Sequence, residues 1–271
     1  MSQTTTTILH ERELAFHDGW ADSTSVDSIN ALACFDAPTA VENRFILSIP
    51  GDLRGKTVLD VGAGLGESSV CLAVRGALVT ALDLSPGMVA TATALASRHG
   101  VAIRCEVAAA EELGFPDNEF DVVYIANTIH HVQDRAKLFF EIRRVLKPGG
   151  LFVSIDPLAY NPVINVYRHL AAGVRTEDEA PLRIRDVRLA KQYFADLQHR
   201  EFWLSSLVLF VKYFLVDRIH PGRDRYWKRI LSETEETLGW WKPLRMLDVW
   251  LTRMPGLKWL SWNIVMWGRK K

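Results

Sequence analysis

Residues 57–66 read Thr-Val-Leu-Asp-Val-Gly-Ala-Gly-Leu-Gly, a short β-branched apolar run that ends in glycines at alternate positions. The segment 67–75 that follows places Val70, Cys71 and Val74 on one helical face. The stretch is therefore a strand, a glycine turn and a helix in immediate succession. Glycine lets the backbone turn sharply and approach a ligand with no Cβ in the way. The spacing of Gly62, Gly64 and Gly66 is GxGxG, not the GxGxxG of dinucleotide binders, and no Lys-Ser/Thr pair follows to make a P-loop. Asp60 lies just inside this strand, and Asp83 ends the next one. In nucleoside-binding α/β folds, an acid about 20 residues after the first strand can accept hydrogen bonds from both ribose hydroxyls.

Working outward, strands and helices alternate. Residues 77–85 form a second strand, and Pro86 opens a helix through His99, since proline suits the first helical turn. Residues 101–108 and 120–127 read as third and fourth strands. A helix from Asp134 to Leu146 stops at Lys147-Pro148-Gly149-Gly150, and 151–157 is a fifth strand. This alternation implies a parallel sheet with right-handed crossovers and ligands at the carboxyl ends of the strands. Upstream, residues 8–48 read as helices, with Leu14, Phe16 and Trp20 on an apolar face and a break at His17-Asp18-Gly19; the threonine run before them reads as a frayed tail. Downstream, 158–200 reads as helices and loops. A sixth strand begins at 201 and passes into helix by 216, and 217–239 is charged and helical. Pro243–Met254 puts Leu247, Trp250, Leu251 and Met254 on one face, expected to pack against the sheet.

The composition is globular, with 48% hydrophobic and 24% charged residues over a length that suits one large domain. Thirty-two basic residues balance 32 acidic ones, so no global positive field recruits nucleic acid. Cys34, Cys71 and Cys105 are far apart, without CxxC spacing; a reducing cytoplasm is expected. The first residues show no apolar h-region and no uncharged apolar run reaches membrane length, so neither a secretory signal nor a membrane span is expected.

Four stretches, in order, carry a family resemblance: VLDVGAGLG (58–66), ALDLSPGM (81–88), EELGFPDNEFDVVYIANTIHHV (111–132) and RRVLKPGG (143–150). Together they resemble the successive motifs of class I S-adenosylmethionine (SAM)-dependent methyltransferases, the large group that includes the ubiquinone/menaquinone-type enzymes. The resemblance implies a Rossmann-like, seven-stranded, mostly parallel sheet with helices on both faces. It further implies an N-terminal tail and helical lid (1–40), a SAM-binding core (41–157), and an acceptor-binding insertion with the C-terminal strands (158–271), the last strand antiparallel. By the same resemblance Gly62, Ala63 and Gly64 run under the methionine part of SAM, Asp60 reaches its amino group directly or through water, and Asp83 takes the ribose. Leu84 and Met88 would pack on the adenine, Ala110 and Glu111 would flank its edge, and Asn127 would line the methionine moiety. Two positions depart from the family pattern: Ala109 stands where an acid usually binds the adenine amino group, and Gly114 replaces a proline.

The resemblance also implies the chemistry. SAM carries an activated methyl group and leaves as S-adenosylhomocysteine, so the protein supplies alignment and a dry site. Orientation can contribute about 7–11 kcal/mol, and a base adds about 10²–10⁴-fold where the acceptor must lose a proton. His130 and His131, after the fourth strand, are the candidate bases, with His17 of the lid in reach of the same pocket. No metal is expected, because adjacent histidine side chains diverge and no third ligand is evident. The aromatic-rich insertion points to a small apolar or aromatic acceptor methylated on O or N, less readily on C. Two alternatives are a lipid or quinone methyltransferase that touches a membrane surface through the C-terminal Trp/Lys-rich segment, and a non-catalytic SAM-binding module.

Overall fold

The computed structural model describes residues 3–176 and 179–271. Seven strands, β1 (Thr57–Val61), β2 (Leu78–Asp83), β3 (Ile103–Val107), β4 (Phe120–Ala126), β5 (Leu146–Pro157), β6 (Phe194–Phe202) and β7 (Asn263–Lys270), make one sheet. Their order is β3-β2-β1-β4-β5-β7-β6. The pairs from β3 to β5 are parallel, and β7 runs antiparallel to both β5 and β6. The sheet is the seven-stranded, mostly parallel one that the sequence implies. Its chain path leaves β1 toward β2 and β3, then returns to β4 on the other side of β1. That reversal opens a crevice above the carboxyl ends of β1 and β4.

Both faces of the sheet are covered. Val58, Val79, Val122, Tyr124 and Val153 point into one apolar cluster, while Leu59, Val61, Leu82, Val123 and Phe152 point into the other. Alternation with period two sends neighbouring residues to opposite faces, so strands covered twice must be apolar throughout. The helices are α1 (Gln3–Asp22), α2 (Ala33–Asp36), α3 (Val41–Ser48), α4 (Glu67–Val74), α5 (Pro86–Arg98), α6 (Arg135–Val145), α7 (Pro162–Leu170), α8 (Ile184–Tyr193), α9 (Val208–Leu215), α10 (Tyr226–Arg229) and α11 (Glu235–Leu251). Side-chain caps start three of them: Ser85 accepts from the Met88 N–H, Asp134 from Lys137, and Asn161 from Ile164.

Three expectations are corrected and one is met. Helix α1 runs unbroken through His17-Asp18-Gly19 and takes in the threonine run; Asp18 Oδ1 accepts from the Gly87 N–H at 3.0 Å and from the Ser85 hydroxyl, which docks the helix on α5. The sixth strand starts at Phe194, within the stretch read as helices and loops, and Trp203 onward is helical. The C-terminal segment forms the antiparallel last strand that was expected. Trp262 is buried, the Lys270 ammonium donates to Asn118 Oδ1 and to the carbonyls of Arg144 and Leu146, and Arg269 donates to the Gly149 carbonyl.

The third correction concerns α11. Its buried side carries Leu238, Trp241 and Asp248, with Trp241 against Trp203 at 5.2 Å and Asp248 accepting from the backbone and hydroxyls of Ser205 and Ser206. Met246, Leu247, Trp250 and Met254 face outward, with Met246 66% and Trp250 68% exposed. Periodicity shows which residues share a face; it does not show which face is covered.

Gly66 sits between α4 and α5 with φ +86°, and a Cβ there would lie 2.6 Å from the Ala92 Cβ and 2.7 Å from its Cα. Gly66→Ala therefore combines a left-handed backbone with overpacking, and we expect a loss of about 2–5 kcal/mol in urea unfolding. A wild-type midpoint would show that the two helices separate freely.

Candidate functional site

The glycine loop is held by the strand beside it. The N–H groups of Gly62 and Ala63 both donate to the Leu82 carbonyl, at 2.8 and 2.9 Å, and that of Gly66 to Ala63. Gly62 and Gly64 have φ of +71° and +55°, a region closed to most side chains. A Cβ on Gly62 would fall 2.0 Å from Thr128 Oγ1, whereas one on Gly64 would project into open space. Bare backbone thus lets the loop after β4 close on the loop after β1, and it leaves a cradle above Gly64.

Asp83 completes that cradle. Its Oδ2 accepts from the Gly64 N–H at 2.8 Å, and its Oδ1 accepts from Ser85 N–H at 3.0 Å. A carboxylate has about four lone-pair sites, so one side remains to face a ligand. Asn127, at the end of β4, takes φ +51° while its N–H donates to the Ile155 carbonyl at 2.8 Å. Asparagine tolerates this conformation better than most residues.

These loops open on one cavity of about 350 Å³, in the range of small-molecule sites. Gly62, Ala63, Gly64, Asp83, Leu84, Ala110, Glu111, Asn127, His130 and His131 all line it. Asp60 and Met88 are not among its lining residues. Asp60 lies buried beneath the loop, accepting from the Ser69 hydroxyl at 2.6 Å. Burial, and then the charge of Asp83, push its carboxyl up to about 7. Met88 is fully buried in the cluster between α1, α4 and α5. This geometry leaves Asp60 only the water-mediated one of its two expected routes to the ligand, and it corrects the expectation that Met88 touches an adenine. Ala109 lines the wall without an acid, and His10 of α1 comes within 3.7 Å of Glu111 beside it.

The opposite wall carries charged groups that residue spacing did not reveal. His130 places Nδ1 2.7 Å from Asp156 Oδ1, and its backbone N–H donates to the same oxygen at 3.1 Å. Burial, and then the nearby His131, Arg175, Arg168 and Arg135, lower the His130 pKa well below the usual imidazole value; burial raises Asp156 to about 7. His130 is thus held neutral. His131 differs: it is part-exposed, with Nδ1 3.1 Å from Glu13 Oε1 of α1. Glu13 also meets His17 Nε2 at 3.3 Å. Burial opposes the charge on Glu13, but hydrogen bonds with His131 and His17 overcome it and hold the carboxyl well below its ordinary range.

Glu13, His17 and His131 bring possible metal-ligating atoms within 4.8 Å of one another, as do His130, His131 and Glu179. The third ligand absent from the sequence reading is therefore present in space. In the first group both imidazoles already stand within ion-pair distance of one carboxylate, which accounts for that grouping. The only sequence signal for Glu13 was its i,i+4 spacing to His17 on one helix; for Asp156 it was a place at the carboxyl end of β5. Aromatic lid residues close the cavity: Phe16 and Trp20 line it, and the Arg225 guanidinium lies 4.1 Å from the Trp20 ring.

A family described as "Methyltransferase domain" matches residues 59–154, from β1 to β5. The chain is 44% identical over 103 residues to the 2-methyl-6-phytyl-1,4-hydroquinone methyltransferase of Synechocystis sp., a match covering 38% of this chain and 32% of that protein. It is 39% identical over 113 residues to the ubiquinone biosynthesis O-methyltransferase of Pseudomonas paraeruginosa, covering 40% of this chain and 49% of that one. The chain thus spans less than half the length of either curated relative. In fold it is similar to the Haemonchus contortus phosphoethanolamine N-methyltransferase 2 solved with S-adenosyl-L-methionine, at a TM-score of 0.60 and 20% identity over 94% of this chain and 60% of that one.

Asp83 both orders the loop and faces the cavity, so Asp83→Ala is expected to weaken SAM binding in calorimetry by more than about tenfold, from charge-assisted bonds of about 1.5–3 kcal/mol. Equal affinity in the two proteins would remove the acid from the site. Residues 59–154 are thus similar in sequence to methyltransferase domains, and the seven-stranded sheet around them is similar in fold to a solved methyltransferase.

Proposed function

We propose that the protein transfers a methyl group from SAM to an oxygen or nitrogen of a small acceptor with an apolar or aromatic body. The observation that carries this reading is a single cavity whose walls hold the glycine cradle with Asp83 on one side and an acid-paired His131 on the other. The residues fit the cofactor: backbone free of Cβ atoms, an acid with spare lone pairs, and an apolar Leu84 share one wall. When bound, SAM supplies the activated methyl group.

Among the chain's own residues, Glu13 accepts from Nδ1 of His131, which leaves Nε2 of that imidazole to take the acceptor's proton. The carboxylate then offsets the charge that the ring gains. His130 is the weaker base, since burial and neighbouring cations oppose its protonation. The lid residues Phe16 and Trp20 exclude water. For the compartment we propose the cytoplasm; it is supported by three free thiols, Cys34, Cys71 and Cys105. No helix among the described residues is long and apolar enough to cross a membrane.

His131→Ala is expected to lower turnover by about 10²-fold or more, as for loss of a general base, with SAM affinity retained. The measurement is S-adenosylhomocysteine release on a panel of hydroxylated and amino aromatic acceptors. An unchanged rate would reduce His131 to a structural role. A wild-type protein that binds SAM and releases no product with any acceptor would favour the binding-module alternative.

The exposed face of α11 favours a second reading, action at an anionic membrane surface. Beside Met246, Leu247, Trp250 and Met254 stand Arg44, Arg200, Arg245 and Arg253, close enough that like charge lowers the pKa of both Arg44 and Arg200, after desolvation in each case. An outward aromatic stripe beside a cationic cluster complements anionic lipid, at about 1 kcal/mol per basic residue. The protein should co-sediment with phosphatidylglycerol vesicles and not with phosphatidylcholine ones, and Trp250→Ser should cut the bound fraction by about threefold. Equal partition onto both vesicle types would exclude the charge-led reading, and a concentration-dependent dimer would assign the face to a second copy.

A further inference from the structure

Beyond His131, the cavity wall passes into Tyr167, Arg168, Val174 and Arg175, from α7 and the turn after it. This end is built for charge yet holds more cation than anion. Arg175 pairs with Glu179. Arg168 donates only to neutral groups, Asn165 Oδ1 at 2.9 Å and the Leu158 carbonyl at 3.0 Å, and no acid among the described residues pairs with it. Removal from water, and then the charge of Arg175, lower the Arg168 pKa; desolvation likewise lowers that of Arg175. Tyr167 is 7% exposed, and its hydroxyl is buried without a hydrogen-bond partner. Arg225, behind Tyr167, has a buried Nε that is also unpartnered.

A guanidinium drawn out of water without an acid is costly, and so is an orphaned hydroxyl. Both costs fall if an oxyanion accepts from the guanidinium and the phenol together, because charge-assisted bonds to arginine are strong and can be bidentate. The neighbouring wall is apolar, with Ile164, Val174 and Trp262. We infer that the methyl acceptor carries an oxyanion, a carboxylate or a phosphate, that seats on Arg168, Arg175 and the Tyr167 hydroxyl while its nucleophilic atom faces His131. The inference rests on the methyl-transfer reading and narrows its substrate class to an anionic acceptor with an apolar body.

The test titrates the full chain, with and without S-adenosylhomocysteine, using inorganic phosphate, benzoate and the uncharged analogue benzamide in a calorimeter. One of the two anions should bind in the millimolar range, with benzamide weaker by about tenfold. Arg168→Met should weaken that anion by about tenfold or more and Tyr167→Phe by about threefold, with S-adenosylhomocysteine affinity unchanged. Preference for phosphate or for benzoate names the anion. Benzamide binding as tightly as benzoate, an Arg168→Met protein that binds the anion like wild type, or a wild type that binds neither anion overturns the inference. Failure to bind S-adenosylhomocysteine, read in the same cell, sinks the methyl-transfer reading separately.

Discussion

The close approach of Gly62 to Thr128 sets the geometry of the site. The loops after β1 and β4 meet where the chain reverses direction across the sheet, and they meet with no side chain between them on the β1 side. Any Cβ at Gly62 would push Thr128 away and, with it, the segment that carries Asn127, His130 and His131. The wall with the glycine loop and the wall with the two histidines therefore share one contact. Open sheets offer a crevice at this point as a matter of topology; the glycine determines how narrow it is.

Acidic side chains then hold the crevice walls in place. Asp83 clamps the glycine loop through Gly64, Asp156 holds His130 by ring and backbone together, and Glu13 ties the lid helix to His131. Each uses an oxygen on structure while standing at or beside the cavity. This double use explains why the two adjacent histidines differ: His130 is fixed in a buried pair among cations, whereas His131 keeps a charged partner and partial exposure.

The lid also connects regions far apart in sequence. Through Asp18 helix α1 is bound to the start of α5, through Glu13 to the loop after β4, and through Trp20 it stacks under Arg225 of the insertion. One helix thus joins the start of α5, the loop after β4 and the segment that carries Arg225.

The parallel core was legible in the sequence because its information is local. A strand buried on both faces must be apolar, a backbone that must approach a neighbour must be glycine, and Ser85-Pro86 and Asp134 cap the helices they begin. Those constraints act within a few residues, so β1 to β5, the glycine cradle and Asp83 could be read directly. What periodicity could not decide was left to tertiary packing: where β6 begins, that α1 continues through His17-Asp18-Gly19, and that the apolar stripe of α11 faces outward while Trp241 and Asp248 turn in. The same holds for Glu13 and for Asp156, Tyr167 and Arg168, which lie far along the chain from the glycine loop and came to one space only when the sheet, α1 and the segment after β5 packed together. Burial and charge pairing are properties of that closed space.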